Sequence, residues 1–140
     1  MTAGKSMTII MHSGDLDKAM AGFILATGAA AKGIDTTMFF TFWGLMVVKK
    51  GGPGKAKLSK MNMGGLGTSM MKKVMKKKNV ATLEELIKDA KDLGVRLIAC
   101  EMTMDLMGVP KESLMPEVTE IGGVGTYLDS ASKSDINLFI

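Results

Sequence analysis

The opening third of the chain narrows the fold more than any other feature. Residues 7–12, MTIIMH, are an apolar and β-branched run that reads as a buried strand. The punctuation SGD follows, with Ser13 or Asp15 placed to cap a helix. Residues 16–32 read as that helix, their many Ala and Gly allowing close approach to a sheet, and Gly33 stops it. Residues 34–43, IDTTMFFTFW, are β-branched and aromatic and read as a second strand. Strand, helix, strand in that order is a βαβ unit with a right-handed crossover, and it commits the chain to a parallel pair.

The remainder continues the alternation. Residues 49–68 carry glycines, a proline and lysines and read as a mobile loop. Residues 69–78 follow as a helix with Met70, Met71, Val74 and Met75 on one face and lysines on the other. Thr82 and Glu85 make a capping box for a helix whose apolar stripe is Leu83, Leu86, Ile87, Ala90 and Leu93, stopped by Gly94. Residues 95–100 read as a strand, 102–108 as a short helical turn, 110–118 as turn-rich or a short helix, 121–132 as a helix and 136–140 as a last strand. The expectation is one α/β domain of three layers, flavodoxin-like and doubly wound, with a mainly parallel sheet and helices on both faces. A basic Gly/Lys/Met-rich insertion interrupts it around 49–78.

Charge is distributed unevenly. Ten lysines and no acidic residue lie within 49–78, which leaves eight basic and all fourteen acidic residues elsewhere. That segment has no arginine or aromatic side chain to read or stack on bases, so nucleic acid is not the expected partner. Its lysines, Lys72, Lys73, Lys76 and Lys77 among them, suit an acidic docking partner or a solvated face, and membrane-surface contact is the lesser alternative. The start has no secretory pattern, and the longest apolar runs fall short of the roughly 18–20 residues of a membrane-spanning helix. A cytoplasmic protein is expected.

One cysteine and one histidine supply neither a disulfide nor the usual soft ligands of zinc, so no metal is expected, and no complete phosphate loop announces a cofactor. The GGVG at 122–125 lacks the rest of a dinucleotide fingerprint and suits a tightly packed helix start instead. The lone thiol, Cys100, ends a strand, where open α/β sheets collect ligands and chemistry. His12, Ser13 and Gly14 come at the close of the first strand and just after it, and Phe42, Trp43 and Gly44 at the close of the second and just after it. If the strand of Cys100 lay beside the first strand, the thiol would face the HSGD turn, whose free N–H groups and imidazole would favour a thiolate. Glu101 and Asp105 act in the opposite sense. Against this stand ordinary readings: a buried cysteine as a small hydrophobe, His12 as structural, and Trp43 as packing or an interface anchor.

The segments HSGDLDKAMAGFILATGAAAKG, FFTFWGL, LIACEMTMDLMG and GGVGTYLDSAS with INLFI together resemble the DsrE/DsrF-like superfamily. The branch is the DsrE-like one often labelled peroxiredoxin family protein. The most specific element runs from Cys100 through Met102 and Asp105 to Gly108. The resemblance implies a small α/β fold assembled as homo-oligomers, trimers or tetramers. It also implies sulfur-relay chemistry, with sulfane sulfur or thiosulfate carried as a persulfide or thiosulfonate on Cys100. TusA-like or rhodanese-type proteins are the implied partners. No second cysteine is present to resolve an internal disulfide, and Arg96 begins the strand that Cys100 ends, both of which disfavour a peroxidase. A non-catalytic interaction subunit that uses the basic Met-rich segment is the alternative, and a nucleotide- or flavin-binding reductase is a third reading.

Overall fold

The computed structural model describes residues 4–140. Five parallel strands make its sheet: β1 (Ser6–Met11), β2 (Asp35–Phe40), β3 (Arg96–Cys100), β4 (Glu120–Gly122) and β5 (Ile136–Phe139), in the order β4-β3-β2-β1-β5. The helices are α1 (Leu16–Ala31), α2 (Trp43–Val47), α3 (Gly52–Lys55), α4 (Leu66–Lys77), α5 (Leu83–Asp92), α6 (Glu101–Met107) and α7 (Val124–Ala131). The chain steps β1, β2, β3, β4 across the sheet in one direction, then returns over the opposite face to place β5 outside β1. Right-handed crossovers require that reversal to change faces.

The period-two alternation of the strands sorts their side chains accordingly. Met7, Ile9, Met11, Met38, Phe40, Leu97 and Ala99 point toward α1 and α5 and build the large core with Phe23, Ala26, Leu86 and Ile87. The Phe23 and Phe40 rings stack there, with centroids 5.7 Å apart. The opposite side chains, Phe39, Ile98 and Cys100, form a small second cluster with Tyr127 of α7. Tyr127 is anchored at both ends. Its ring tilts onto Phe39, and its hydroxyl lies 3.0 Å from Thr8 Oγ1, which in turn donates to Asn137 Oδ1 at 2.6 Å. The α/β architecture with helices on both faces is therefore present, but very unequally: among the described residues, α7 alone packs on the thin side.

Several local expectations change. The second strand ends at Phe40, and Phe42 and Trp43 turn the chain into α2. Residues 120–122 are the short edge strand β4 and not the first turn of a helix, which begins at Val124 with Gly123 as N-cap. The segment 49–68, read as a loop, contains α3 and a 3₁₀ turn at Met63–Gly65. It is tied to the body at several points: Leu16 donates to Lys57 O, Ser59 donates through N and Oγ to the Asp17 carboxylate, and Lys50 donates to Ser113 O. Burial raises the Asp17 pKa, but the Ser59 hydrogen bonds outweigh it and the net shift is downward. The methionine face of α4 does not pack as its pattern suggests, since Met70, Met71 and Val74 are exposed and Met75 is the one turned to the core. Leu93, read as part of the α5 stripe, is also exposed. In the capping box, Thr82 Oγ1 accepts from Glu85 N at 3.2 Å as expected, while the Glu85 carboxylate takes the Thr82 hydroxyl.

The three-residue β4 has little pairing of its own, and Arg96 compensates. Its guanidinium donates twice to the Glu120 carboxylate at 2.8 Å and reaches Ser130 Oγ of α7 at 3.4 Å. The hydrogen bonds from Arg96 hold the Glu120 pKa below its ordinary value. A depressed carboxylate contributes stability above its unfolded pKa, and that stability is lost as pH falls through the folded one. Both partners are more than a third exposed, so Glu120→Gln is expected to cost at most about 1 kcal/mol at neutral pH. In urea melts across pH, the variant and the parent should converge as the pH falls below the ordinary carboxylate range. A gap that persists into acid would assign the effect to packing.

Candidate functional site

The carboxyl end of the sheet carries all the candidate residues, in two separate groups. Cys100 ends β3 and is the N-cap of α6, with φ −71° and ψ 115°. Its thiol side faces Phe39, Ile98 and Tyr127, and the residue is 4% exposed. Met102 and Asp105, on α6, are exposed to solvent.

The second group begins at the end of β1. His12 and Ser13 donate from their backbone N–H groups to Ile140 O at 2.7 and 3.1 Å. The His12 ring lies between Phe42 and Phe139, each with a centroid 5.6 Å away. With Ser13, Gly14 and Trp43, His12 lines a cleft of about 600 Å³. Its other wall is the segment after α2, including Lys49, Lys50, Lys55 and Lys57. Asp15, at its edge, sits 3.6 Å from Lys18.

The strand order corrects the expectation that Cys100 faces the HSGD turn. β3 pairs with β2, and β2 stands between it and β1. Two strand spacings, about 10 Å, therefore separate the axes of β3, which ends in Cys100, and β1, which His12 follows. The structure brings His12, Ser13, Gly14 and Trp43 together and leaves Cys100 in a different environment.

What joins the two groups is a residue the sequence did not single out. Thr103 is fully buried in α6, where its hydroxyl accepts from Phe42 N at 3.0 Å and lies 3.0 Å from Thr41 Oγ1. Phe42 has φ 48° and ψ −124°, a left-handed geometry that costs a non-glycine residue about 1–3 kcal/mol. Thr103 thus holds a strained turn between the thiol's helix and the cleft. Nothing in the pattern TMD announces this, because the partner is about sixty residues away in sequence and found only through the sheet order. Thr103→Val keeps the shape and orphans the Phe42 N–H, so a loss of roughly 2 kcal/mol is expected in urea unfolding. Thr103→Ser should recover most of it, and equal losses for both variants would refute the role of the hydroxyl.

The basic segment divides as well. Lys72 donates to Gly54 O at 3.1 Å and is engaged within the fold, whereas Lys73, Lys76 and Lys77 are exposed. A groove along α4 reaches Leu16 and the start of α5, both at the carboxyl end of the sheet, so α4 shares that end with Cys100. Among the described residues there is no group of three or more His, Cys, Asp or Glu placed to hold a metal ion. No helix among them is long and apolar enough to cross a membrane.

Comparison with known proteins supplies the context. Residues 3–56 and 51–139 match the DsrE/DsrF/DrsH-like family. The chain is 46% identical over 156 residues to the uncharacterized protein YrkE of Bacillus subtilis, covering 97% of each chain. It is 38% identical over 157 residues to the sulfur carrier protein DsrE2 of Allochromatium vinosum, covering 97% of this chain and 98% of that one. Among solved structures, the YchN protein of Escherichia coli aligns over 97% of this chain and 98% of its own, with a TM-score of 0.62 at 12% identity. A protein of unknown function from Methanobacterium thermoautotrophicum gives 0.61 at 13% identity, over 96% and 98%. These two share the fold. The sequence matches go further, and the chain belongs to the DsrE/DsrF/DrsH-like family.

Proposed function

We propose that this protein is a sulfur carrier or sulfurtransferase that holds sulfane sulfur or thiosulfate on Cys100 and passes it to an acceptor thiol. The reading rests on the likeness to the sulfur carrier protein DsrE2 along nearly the whole chain, joined to one observation: the chain's only thiol sits at a strand's carboxyl end, against the start of α6. With thiosulfate, the Cys100 thiolate attacks the sulfane sulfur, the S–S bond breaks, and sulfite leaves with the bonding pair. With tetrathionate, the thiolate attacks an inner sulfur and thiosulfate leaves, giving a thiosulfonate on Cys100. An acceptor thiolate then attacks the outer sulfur of the persulfide and restores Cys100, with no net oxidation. One thiol suffices because donor and acceptor each bring their own sulfur.

TusA-like or rhodanese-type carriers are the proposed partners. The exposed Lys73, Lys76 and Lys77 would steer an acidic carrier to the end of the sheet that holds Cys100, an attraction that salt weakens. Exposed Phe139 pairs beside Ile10 on the thin side of the sheet, and α7 on that side carries exposed Val124 and Leu128, which supports a homo-oligomer, trimer or tetramer, that covers them. The burial of Cys100 favours a second reading, a non-catalytic interaction subunit in which the thiol is packing and α4 makes the contact.

Intact mass spectrometry after incubation with thiosulfate, tetrathionate or polysulfide separates the two. A reducible sulfur or thiosulfate adduct on the parent, absent from Cys100→Ser, is the expected result. No adduct with any of these donors would sink the carrier reading and leave the interaction subunit.

A further inference from the structure

We infer that the lysine-lined cleft at the end of β1 is a binding site for a small phosphate ester built on a planar ring, of the mononucleotide class. The site is independent of Cys100, which does not line it. It lies beyond the carboxyl end of β1, between the β1–α1 turn and the segment that runs from α2 to Lys57, on the side of the sheet where open α/β folds collect ligands.

Charge, size and shape each narrow the ligand. Five lysines line the cleft, Lys18, Lys49, Lys50, Lys55 and Lys57, and the one carboxylate there, Asp15, is already beside Lys18 and Ser13. Among the described residues, Lys49, Lys50, Lys55 and Lys57 have no ion-pair partner. Lysine is a point-charge partner for phosphate, and four unpaired ammonium groups call for a multiply charged anion. The volume of about 600 Å³ exceeds what a bare phosphate or thiosulfate fills and falls within the range of small-molecule sites. Trp43, the chain's only tryptophan, is 57% exposed at this cleft beside Met46 and Val47. An indole left in water next to lysines offers a flat face to a ring.

The walls are preformed. A Cβ at Gly14 would meet Trp43 O at 2.6 Å, and one at Gly52 would meet Met46 O at 2.1 Å, so backbones touch on both sides. The Lys57 carbonyl accepts from Leu16 N at 2.7 Å, and Lys50 N donates to Ser113 O at 2.8 Å, which fixes the lysine-bearing segment. A fixed pocket spends little on ordering when a ligand binds.

The test is calorimetric titration of the full chain with ATP, AMP and pyrophosphate, with Trp43 fluorescence as a second readout. Saturable ATP binding is expected, weakened at least about tenfold by Lys49→Gln/Lys55→Gln/Lys57→Gln with an unchanged thermal melt. Trp43→Ala should weaken ATP and leave pyrophosphate unaffected, and Cys100→Ser should bind as the parent does. Lys73→Gln/Lys76→Gln/Lys77→Gln controls for general attraction to basic surface and should also bind as the parent does. No saturable binding of ATP or AMP up to about 1 mM would overturn the inference. So would ATP binding lost with the α4 lysines instead of the cleft lysines, or pyrophosphate binding as tightly as ATP with Trp43→Ala silent.

Discussion

Gly44→Ala is expected to cost at least about 3 kcal/mol of stability and to disorder the cleft, although alanine is the better helix former. Gly44 sits in α2 directly over the end of β1. Its N–H donates to His12 O at 2.9 Å, and a Cβ there would stand 1.9 Å from Met11 O and 2.6 Å from Met11 C. Both obstacles are backbone atoms of a central strand, so neither yields to a rotamer change. Relief requires α2 to lift from β1, which carries Trp43 and Val47 away from His12. Gly28→Ala provides the internal comparison. That glycine lies within α1 with nothing within 4 Å of a new Cβ, and alanine there should stabilise by roughly 0.5–1 kcal/mol. Urea midpoints moving in opposite directions are the expected outcome. A Gly44→Ala variant as stable as the parent would mean that α2 does not pack on β1 as described.

The contrast between these glycines marks where sequence stops being legible. Local signals suffice for several elements: Thr82 caps α5, and β1, α1 and β3 fall close to their expected bounds, although neither Ser13 nor Asp15 makes the side-chain cap expected at the start of α1. The short edge strand β4 has no local signature, because Glu120–Gly122 has only three residues, ends in glycine and owes its place to pairing with β3 and to the Arg96 clamp. Strand order is a property of crossovers and faces, which no local window contains, and it decided the candidate site. The residues His12, Ser13, Gly14, Trp43 and Cys100 were each legible as strand-end groups. Their division into a cleft and a buried thiol depended on β2 lying between, and the cleft lysines stood out in the sequence only as members of a basic segment.

Tyr127→Ala should raise the alkylation rate of Cys100 in the native protein on the order of 100-fold. Cys100 is covered on its own face by the small cluster of Phe39, Ile98 and Tyr127, and that face has one helix of eight residues. Tyr127 contributes its ring against Phe39 and its hydroxyl near Thr8 Oγ1, so truncation removes a buried aromatic side chain worth roughly 3 kcal/mol to the docking of α7. Each 1.4 kcal/mol is about a tenfold change in the open population that a thiol reagent samples. The larger core on the other face, built on Phe23, Phe40 and Ile87, contains no atom of Tyr127. The thiol should therefore gain reactivity at denaturant concentrations where the far-ultraviolet signal is still native. Tyr127→Phe keeps the ring and should gain much less. This separation of local from global opening matters for the carrier reading, because a thiol that must meet a donor and an acceptor needs a route outward that does not unfold the sheet. If Tyr127→Ala accelerates alkylation only in step with global unfolding, α7 is not the cover of Cys100, and the route must be sought at the start of α6.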